Sequence, residues 1–524
     1  MIPLRPALFA ALMGLAGAAP ALPGFAAETY RFALAGPPGA LDPQMARGRE
    51  NADLVRLLFE GLYEDDANGR PVAALAAAAE VSEDGLIWRF TLAPAQWSDG
   101  AFVRAEDFVA ALRRLAMPGL ASPNRWLLED MKLAGAAGVM NATAPPESLG
   151  ARALDDGRLE LRLSAPQPHL RAMLAHHAAL PVPSHLLGAD GQLPQSGLAG
   201  NGAFTLAEAQ GAQGALRFEA NPRYRNSSAT QIAAIEAEFI NDVDEALQAF
   251  VDGRIDRMTA PPAMFRQLRE AFPEAAIATP IACTYGLLVN LGEDAPAALK
   301  SPDLRRALSL AIDRVRLTEI VLDSAHRPAI GWTDPLLEGA LPDPGAAAPE
   351  SADAAQDEAR AMLAALGYTD EAPLRLRLSH NAGDDHRLIA RAVQAMWREV
   401  GVIVSISSQD WQGHIDELRA GGFQIARYGW CADYNAPDAF LAYFVPGGPN
   451  YGQYESAAFS DALAAMSEGA PDGAARAEAV LRADLPIIPL YHYGRAELVR
   501  PGWAGLALEN PMQRWHGRQI RHEE

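Results

Sequence analysis

The chain is 524 residues long, three to four times the ~150-residue scale of one domain, with 49% hydrophobic and 21% charged residues. This is ordinary globular usage, so a single small module, a disordered chain and a fibrous repeat are excluded. The 44 basic residues against 65 acidic ones leave a net charge of −21, which repels phosphate backbones and anionic lipid surfaces, and nucleic acid is not expected as a partner.

Residues 1–26 carry the order of an export signal: Arg5, an apolar run from Ala7 to Ala19, then Pro20, Pro23 and small residues around Gly24-Phe25-Ala26. Cleavage is expected after Ala26, with small residues at −3 and −1; the alternative is an Ala-rich buried helix. Proline interrupts the run before it reaches the ~20 apolar residues of a membrane span, and no later stretch reaches that length. No Cys lies near the cut to take a lipid. A free, soluble protein in the space between two bacterial membranes, or outside the cell, is therefore expected.

Residues 28–32 alternate like a strand and meet a turn at Gly36-Pro37-Pro38-Gly39. Leu54, Leu57, Leu58 and Leu62 recur at helical spacing and predict a helix over 51–62. A strand over 88–92 and a helix over 105–114 follow, with no βαβ rhythm. Strand-like runs at 159–163, 216–219 and 235–240 precede helices over 243–251 and 263–272. A β-prone stretch over 282–289 and a helix over 303–313 lead into helix 354–366, strand 374–378, helix 386–400 and strand 403–407, the alternation of a layered α/β domain. The Ala/Pro/Asp-rich stretch 343–352 reads as a surface loop.

No Gly-x-Ser-x-Gly, His-Glu-x-x-His, Gly-x-x-x-x-Gly-Lys or dinucleotide-binding glycine pattern is present, so neither an enzyme nor a cofactor is expected. Asp384-Asp385 reads as a solvated pair. His176-His177, as neighbours in a helix, would point about 100° apart and rarely share an ion, so no metal site is expected. His492, between Tyr491 and Tyr493, reads as core or cleft-wall packing. Cys283 and Cys431 are the only cysteines. In an oxidising compartment they are expected to be bridged, closing a loop of about 150 residues, the alternative being two buried thiols.

The densest stretch runs Arg427-Tyr428-Gly429-Trp430-Cys431-Ala432-Asp433-Tyr434-Asn435-Ala436-Pro437. Its aromatics can form a flat wall, Asp433 can pair with an ammonium and Arg427 can fork onto a carboxylate. The competing reading is an ordinary strand-to-loop transition around a buried Trp.

Leu58-Phe-Glu-Gly-Leu62, Trp97-Ser-Asp-Gly100 with Ala105-Glu-Asp-Phe108, Asn201-Gly-Ala-Phe204, Asn221-Pro-Arg-Tyr224, Gly253-Arg-Ile-Asp256, Arg306-Ala-Leu with Ala311-Ile-Asp-Arg314, and Gly429-Trp-Cys-Ala-Asp-Tyr-Asn435 occur in that order. With these motifs the chain resembles the bacterial extracellular solute-binding proteins of family 5, from about Glu28 to its end, and within them the oligopeptide-binding branch. The resemblance implies an α/β bilobal clamshell, the Venus-flytrap fold of periplasmic binding proteins, with an extra inserted subdomain. One lobe would comprise 27–63, 181–282 and 495–524, the second 283–494, and the insert 64–180. It further implies short peptides as ligand, and the permease and ATPase subunits of an inner-membrane ABC importer as partners of a monomer.

Carried over by position, Asp433 resembles the carboxylate that pairs with the peptide α-ammonium, and Arg427 and His386 the groups that receive the carboxylate end. Trp411 and Trp430 resemble pocket walls, and Cys283 with Cys431 the family's disulfide. Tyr434, Asn435 and Tyr491 complete the expected contact set. The chain departs from the family's pattern at Gly286 and Asn124, where tyrosines are expected, and at Leu322, where a Lys is. These departures keep open a non-peptide ligand such as a metal chelate, haem or glutathione, or a murein peptide. From other classes, a secreted hydrolase or a chaperone for unfolded segments competes.

Overall fold

The computed structural model describes residues 26–37, 39–194, 196–207, 215–261, 264–322, 325–341, 351–445 and 448–523. The expected export signal up to residue 25 and most of the loop 343–352 lie outside these residues. The first strand, Ala26–Leu34, opens an eleven-stranded sheet. In spatial order its strands are Ile403–Gln409, Arg375–Asn381, Ile425–Cys431, Ala276–Val289, Ile487–Val499, Arg257–Ala260, Ala26–Leu34, Ile232–Phe239, Leu216–Ala220 and Phe204–Leu206. The short strand Arg327–Pro328 pairs beside Ile487–Val499, off this path.

Two long strands join the halves of this sheet. Ala276–Val289 and Ile487–Val499 pair antiparallel over 276–280 and again over 284–288, with register shifts between Pro280 and Thr284 and between Tyr285 and Gly286. Pro280 brings no ladder donor, which suits it to such a break. A Cβ on Gly286 would lie 2.8 Å from Cγ1 of Ile487, and one on Gly494 only 1.9 Å from the carbonyl oxygen of Ala325, so both crossings need bare backbone.

Separate cores flank the crossing. Tyr30, Phe32, Leu54, Leu57, Phe204, Phe218, Ile235 and Trp515 pack together on one side of it. Beyond it, Leu376, Leu378 and Ile425 are covered by Val393, Met396 and Trp397 of the helix Asp384–Glu399. The opposite face of that half, with Leu288, Ala426 and Tyr428, is covered by Leu418 of the helix Trp411–Arg419 and by Tyr443 and Phe444. A four-stranded antiparallel sheet, Ala76–Val81, Ile87–Leu92, Leu159–Arg162 and Ala151–Ala153, packs with the helix Ala105–Ala116 around a core drawn from 62–179. Tyr434, Ala436 and Ala439 belong to that core although they follow the strand Ile425–Cys431.

The helix expected over 51–62 is found at Gly48–Leu58. It stops early because Gly200 and Gly202 press against its last turn, where added Cβ atoms would sit 2.3 Å from the Leu58 carbonyl oxygen and 2.6 Å from that of Leu57. Asn201 then captures the departing chain, accepting from the Glu60 N–H at 3.0 Å and donating to its carbonyl at 2.9 Å. The expected αβαβ run appears as Ala352–Ala365, Arg375–Asn381, Asp384–Glu399 and Ile403–Gln409. The pair His176-His177 is not helical: His176 precedes a 3-10 turn, and the two buried rings lie 4.1 Å apart instead of diverging. Burial holds both neutral, His177 at about 3, and among the described residues no group of three or more His, Cys, Asp or Glu could hold a metal.

Candidate functional site

Arg375–Asn381, Ile403–Gln409 and Ile425–Cys431 run parallel, so their carboxyl ends lie together, the end at which open α/β sheets gather ligands. His386, Trp411 and Asp433 all follow these ends within a few residues. Ile425–Cys431 is paired along its whole length to Ala276–Val289, but to Arg375–Asn381 only at Ile425 and Ala426. Its other edge is therefore bare from Arg427 onward.

Strand parity says which groups this edge presents. The Ala432 N–H donates to the Ala282 carbonyl at 2.8 Å and the Asn290 N–H to the Gln424 carbonyl at 3.0 Å, so even-numbered residues of the strand face their antiparallel neighbour. Cys283 and Cys431 form the intervening non-bonded pair, with Cα atoms 4.0 Å apart and sulfurs joined in a disulfide across 148 residues of sequence. The backbone groups of Arg427, Gly429 and Cys431 then point outward. His414 Nε2 caps the first of them, 3.0 Å from the Arg427 carbonyl oxygen. Gly429 and Cys431 have no hydrogen-bond partner on that side among the described residues.

Asp433 marks one end of the bare edge. Its side of the chain is open to solvent, and its carboxylate has no hydrogen-bond or ion-pair partner among the described residues. Protein crowds it from behind, and this loss of water pushes its pKa up to about 6; the Arg514 guanidinium opposes the rise and the Asp130 carboxylate adds to it. Arg514 is buried, donates to the Asp433 carbonyl, and reaches Asp65 Oδ2 at 2.9 Å with its other nitrogen. It locks the Asp433 turn to the hairpin strand Tyr63–Asp65 and the C-terminal segment.

Arg427 and His386 mark the other end. The Arg427 guanidinium lies 5.1 Å over the Tyr285 ring and 3.4 Å from the Tyr493 hydroxyl, and its Nε is buried without a partner. No carboxylate faces it among the described residues. The His386 ring sits 5.7 Å from that of Tyr285, its Nδ1 also buried and unpaired. Burial, then the nearby Arg427 charge, lowers its pKa to about 4, so it is neutral at neutral pH. A half-buried guanidinium with no anion beside it calls for one from outside the chain.

The other expected contacts divide. Trp411 is 58% exposed, and Trp430 is partly exposed, with Nε1 donating to the Ala439 carbonyl at 2.7 Å on the sheet face opposite Arg427. Tyr434 is buried and bonds Asp438 Oδ2 at 3.1 Å; Asn435 is buried and joins the Gly69 carbonyl at 2.6 Å to the Glu338 N–H at 2.9 Å. Tyr491 is 3% exposed, stacked on Tyr285 at 4.9 Å and on His326 at 4.4 Å. These three brace the site from behind instead of lining it. Asn124 and Leu322 are buried too, the former donating to the Ala46 carbonyl at 2.9 Å. His492 is fully buried, Nδ1 2.9 Å from the Thr284 hydroxyl. Sequence reasoning missed the outward backbone of Gly429 and Cys431 and the role of Arg514; only the sheet pairing reveals them.

Residues 70–452 match the model for the middle region of the bacterial extracellular solute-binding proteins, family 5. The chain belongs to this family. It is 31% identical over 500 residues to the periplasmic oligopeptide-binding protein OppA of Escherichia coli K12, covering 92% of this chain and 90% of that protein. The fold is their bilobal binding-protein clamshell. It superposes on the unliganded open form of the periplasmic murein tripeptide-binding protein MppA with a TM-score of 0.86, at 30% identity over 95% of this chain and 97% of that one. Against the Haemophilus influenzae OppA complex with RPPGFSPFR the TM-score is 0.71, at 27% identity over 95% and 99% of the two chains. The lobes of this family member are thus arranged as in an open binding protein.

Proposed function

We propose that this protein is the periplasmic substrate-binding component of a peptide ABC importer, holding short peptides extended between two lobes and handing them to the membrane subunits. The observation that carries this reading is the bare strand edge from Arg427 to Cys431, with a lone carboxylate at one end and an unpaired guanidinium at the other. Every peptide offers what this edge lacks: backbone groups for an added strand, an ammonium for Asp433 and a carboxylate for Arg427 and His386. Six residues separate the two charged ends, about 20 Å at the ~3.3 Å rise of a strand, room for a peptide of about five residues or fewer. Hydrated pockets let side chains vary at ~0–2 kcal/mol per ordered water.

In this reading 27–63, 181–282 and 495–524 form one lobe, 283–494 the other and 64–180 the inserted domain, with the hinge at the register shifts of the two crossing strands. The protein is exported, cut after Ala26, free of a lipid anchor, monomeric and not an enzyme. The 31% identity to the periplasmic murein peptide-binding protein MppA of Escherichia coli K12 supports a cell-wall peptide as the alternative ligand.

Calorimetry with a tripeptide is the test. Asp433→Asn leaves an ammonium buried without its charge partner, at about 3–5 kcal/mol, so affinity is expected to fall about a hundredfold or more. Unchanged affinity overturns the reading.

A further inference from the structure

One end of the large sheet is the strand Ile403–Gln409, which pairs with Arg375–Asn381 and with no other described strand. The Ile403 N–H donates to the Leu374 carbonyl at 2.8 Å, and the Gln409 carbonyl accepts from the Ala382 N–H at 2.6 Å, so odd-numbered residues bond inward. Val404, Ile406 and Ser408 then turn their backbone groups outward. Gln394 Nε2 donates to the Val404 carbonyl at 2.8 Å, while Ile406 and Ser408 have no backbone partner on that side among the described residues. Terminal edges are ordinarily blunted by a charge, a proline or a bulge. Residues 402–409 carry neither charge nor proline, and the strand keeps an unbroken register.

The helix beside this edge is basic where it borders it. At about 100° per residue, Arg387, Arg391, Gln394 and Arg398 of Asp384–Glu399 fall within an arc of about 60°. Gln394 ties this stripe to the strand, and Arg387, Arg391, Gln394, Ile406 and Ser408 share one open groove of about 490 Å³. Arg391 and Arg398 are exposed and have no ion-pair partner among the described residues. Arg387 pairs with Asp384 at 2.7 Å, but both side chains stand largely in solvent, where such a pair holds weakly. In a chain of net charge −21, three aligned cations beside a neutral edge are a local reversal of sign.

We infer that this groove docks an extended acidic segment of a partner protein, which adds a strand to Ile403–Gln409 and turns alternate Asp or Glu side chains toward the arginines. Every second side chain of an added strand reaches the helix-covered face, at a spacing of about 7 Å. Arg387 and Arg398 lie about 17 Å apart along the helix axis, which matches three such positions. A second copy of this chain, paired edge to edge, would set two arginine stripes side by side, so charge disfavours it as the occupant. Arg375–Asn381 separates this edge from the one at Gly429, so the inference does not rest on the peptide reading.

The probe is a heptapeptide of alternating Glu and Thr, acetylated and amidated so that it lacks the charged ends that Asp433 and Arg427 would take. The same peptide with Gln for Glu is the control. Calorimetry on the native protein at low salt is expected to show the Glu peptide binding at least tenfold tighter than the Gln peptide. Arg391→Glu combined with Arg398→Glu, and independently Ser408→Pro, which removes an outward N–H, are each expected to weaken the Glu peptide at least tenfold with Tm unchanged. Amide exchange at Ile406 and Ser408 is expected to slow when the peptide is bound. Absence of binding, equal binding of the two peptides, affinity untouched in both variants, or protection at Gly429 and Cys431 instead overturns the inference. Self-association in sedimentation that Ser408→Pro abolishes would make a second copy the occupant, and pelleting with phosphatidylglycerol vesicles without peptide binding would make it lipid; either result overturns it too.

Discussion

Asp433 is held in a state that disfavours its own charge. Burial of its carboxyl pushes the pKa up from the ordinary 3.8 to about 6, with the Arg514 guanidinium opposing the rise and the Asp130 carboxylate adding to it, and in the proposed reading the partner that stabilises the anion arrives with the ligand. Only the ionised form pairs with an ammonium, so peptide affinity is expected to fall as pH drops from 7 to 5, and to lose that dependence in Asp433→Asn; isothermal titrations across this range check it. Stability follows the opposite sign. The folded empty protein binds this proton more tightly than the unfolded chain, so the group opposes folding above pH 6, and the penalty disappears as pH falls below 4. Thermal melts of the unliganded protein are expected to show Asp433→Asn with the higher Tm at pH 7.5 and the two coinciding near pH 4. Asp433 and Arg427 were legible in the sequence because a charge of each sign, several aromatics and a Cys fall within eleven residues. Tyr434 and Asn435 share that composition yet point inward, where Asn435 ties the Gly69 carbonyl to the Glu338 amide. Polarity along a chain does not distinguish a group that lines a groove from one that bonds beneath it.

In the proposed reading the strand Ile425–Cys431 binds through the edge left bare. Pairing on one side fixes its register, the disulfide pins its far end, and divergence of Arg375–Asn381 after Ala426 opens the other side. An added strand needs the N–H groups of Gly429 and Cys431, and neither contributes to the existing sheet. Gly429→Pro is therefore expected to retain the fold, since a Cβ there meets nothing closer than 3.4 Å and the lost donor faces outward, while peptide binding falls at least tenfold. Melting and binding measured on the same preparation separate these effects; unfolding of the variant, or undiminished binding, would contradict the assignment of this edge. Most elements were readable from periodicity, and the αβαβ run emerged with small shifts because its apolar faces repeat cleanly. The helix at 51–62 was overrun because its stop, Gly200 to Gly202, lies about 140 residues away in sequence. Which strand edge stays unpaired is likewise a property of the assembled sheet and has no local signature.

At the scale of the whole molecule, two crossing strands with broken register join the halves of the large sheet, each half with its own core, while Arg514 also ties the Asp433 turn to Asp65; in the proposed reading the halves rotate about the register shifts. The TM-scores of 0.86 against an open binding protein and 0.71 against a peptide complex fit a resting state from which a ligand selects closure. Small-angle scattering is expected to show the radius of gyration shrinking on addition of saturating peptide, and not shrinking for Asp433→Asn at the same peptide concentration. The order of family motifs from about Glu28 onward was sufficient to read the clamshell. The packing of Tyr434, Ala436 and Ala439 into the core of 62–179 was not, since it joins parts of the chain some 300 residues apart.

Amide hydrogen exchange at single-residue resolution addresses the added strand most directly. In the empty protein the amides of Gly429 and Cys431 are expected to exchange rapidly while those of Tyr428 and Trp430, bonded to the neighbouring strand, are protected; saturating tripeptide should slow the first two and leave the second two as they were. Rapid exchange at Gly429 and Cys431 in the loaded protein would contradict the account.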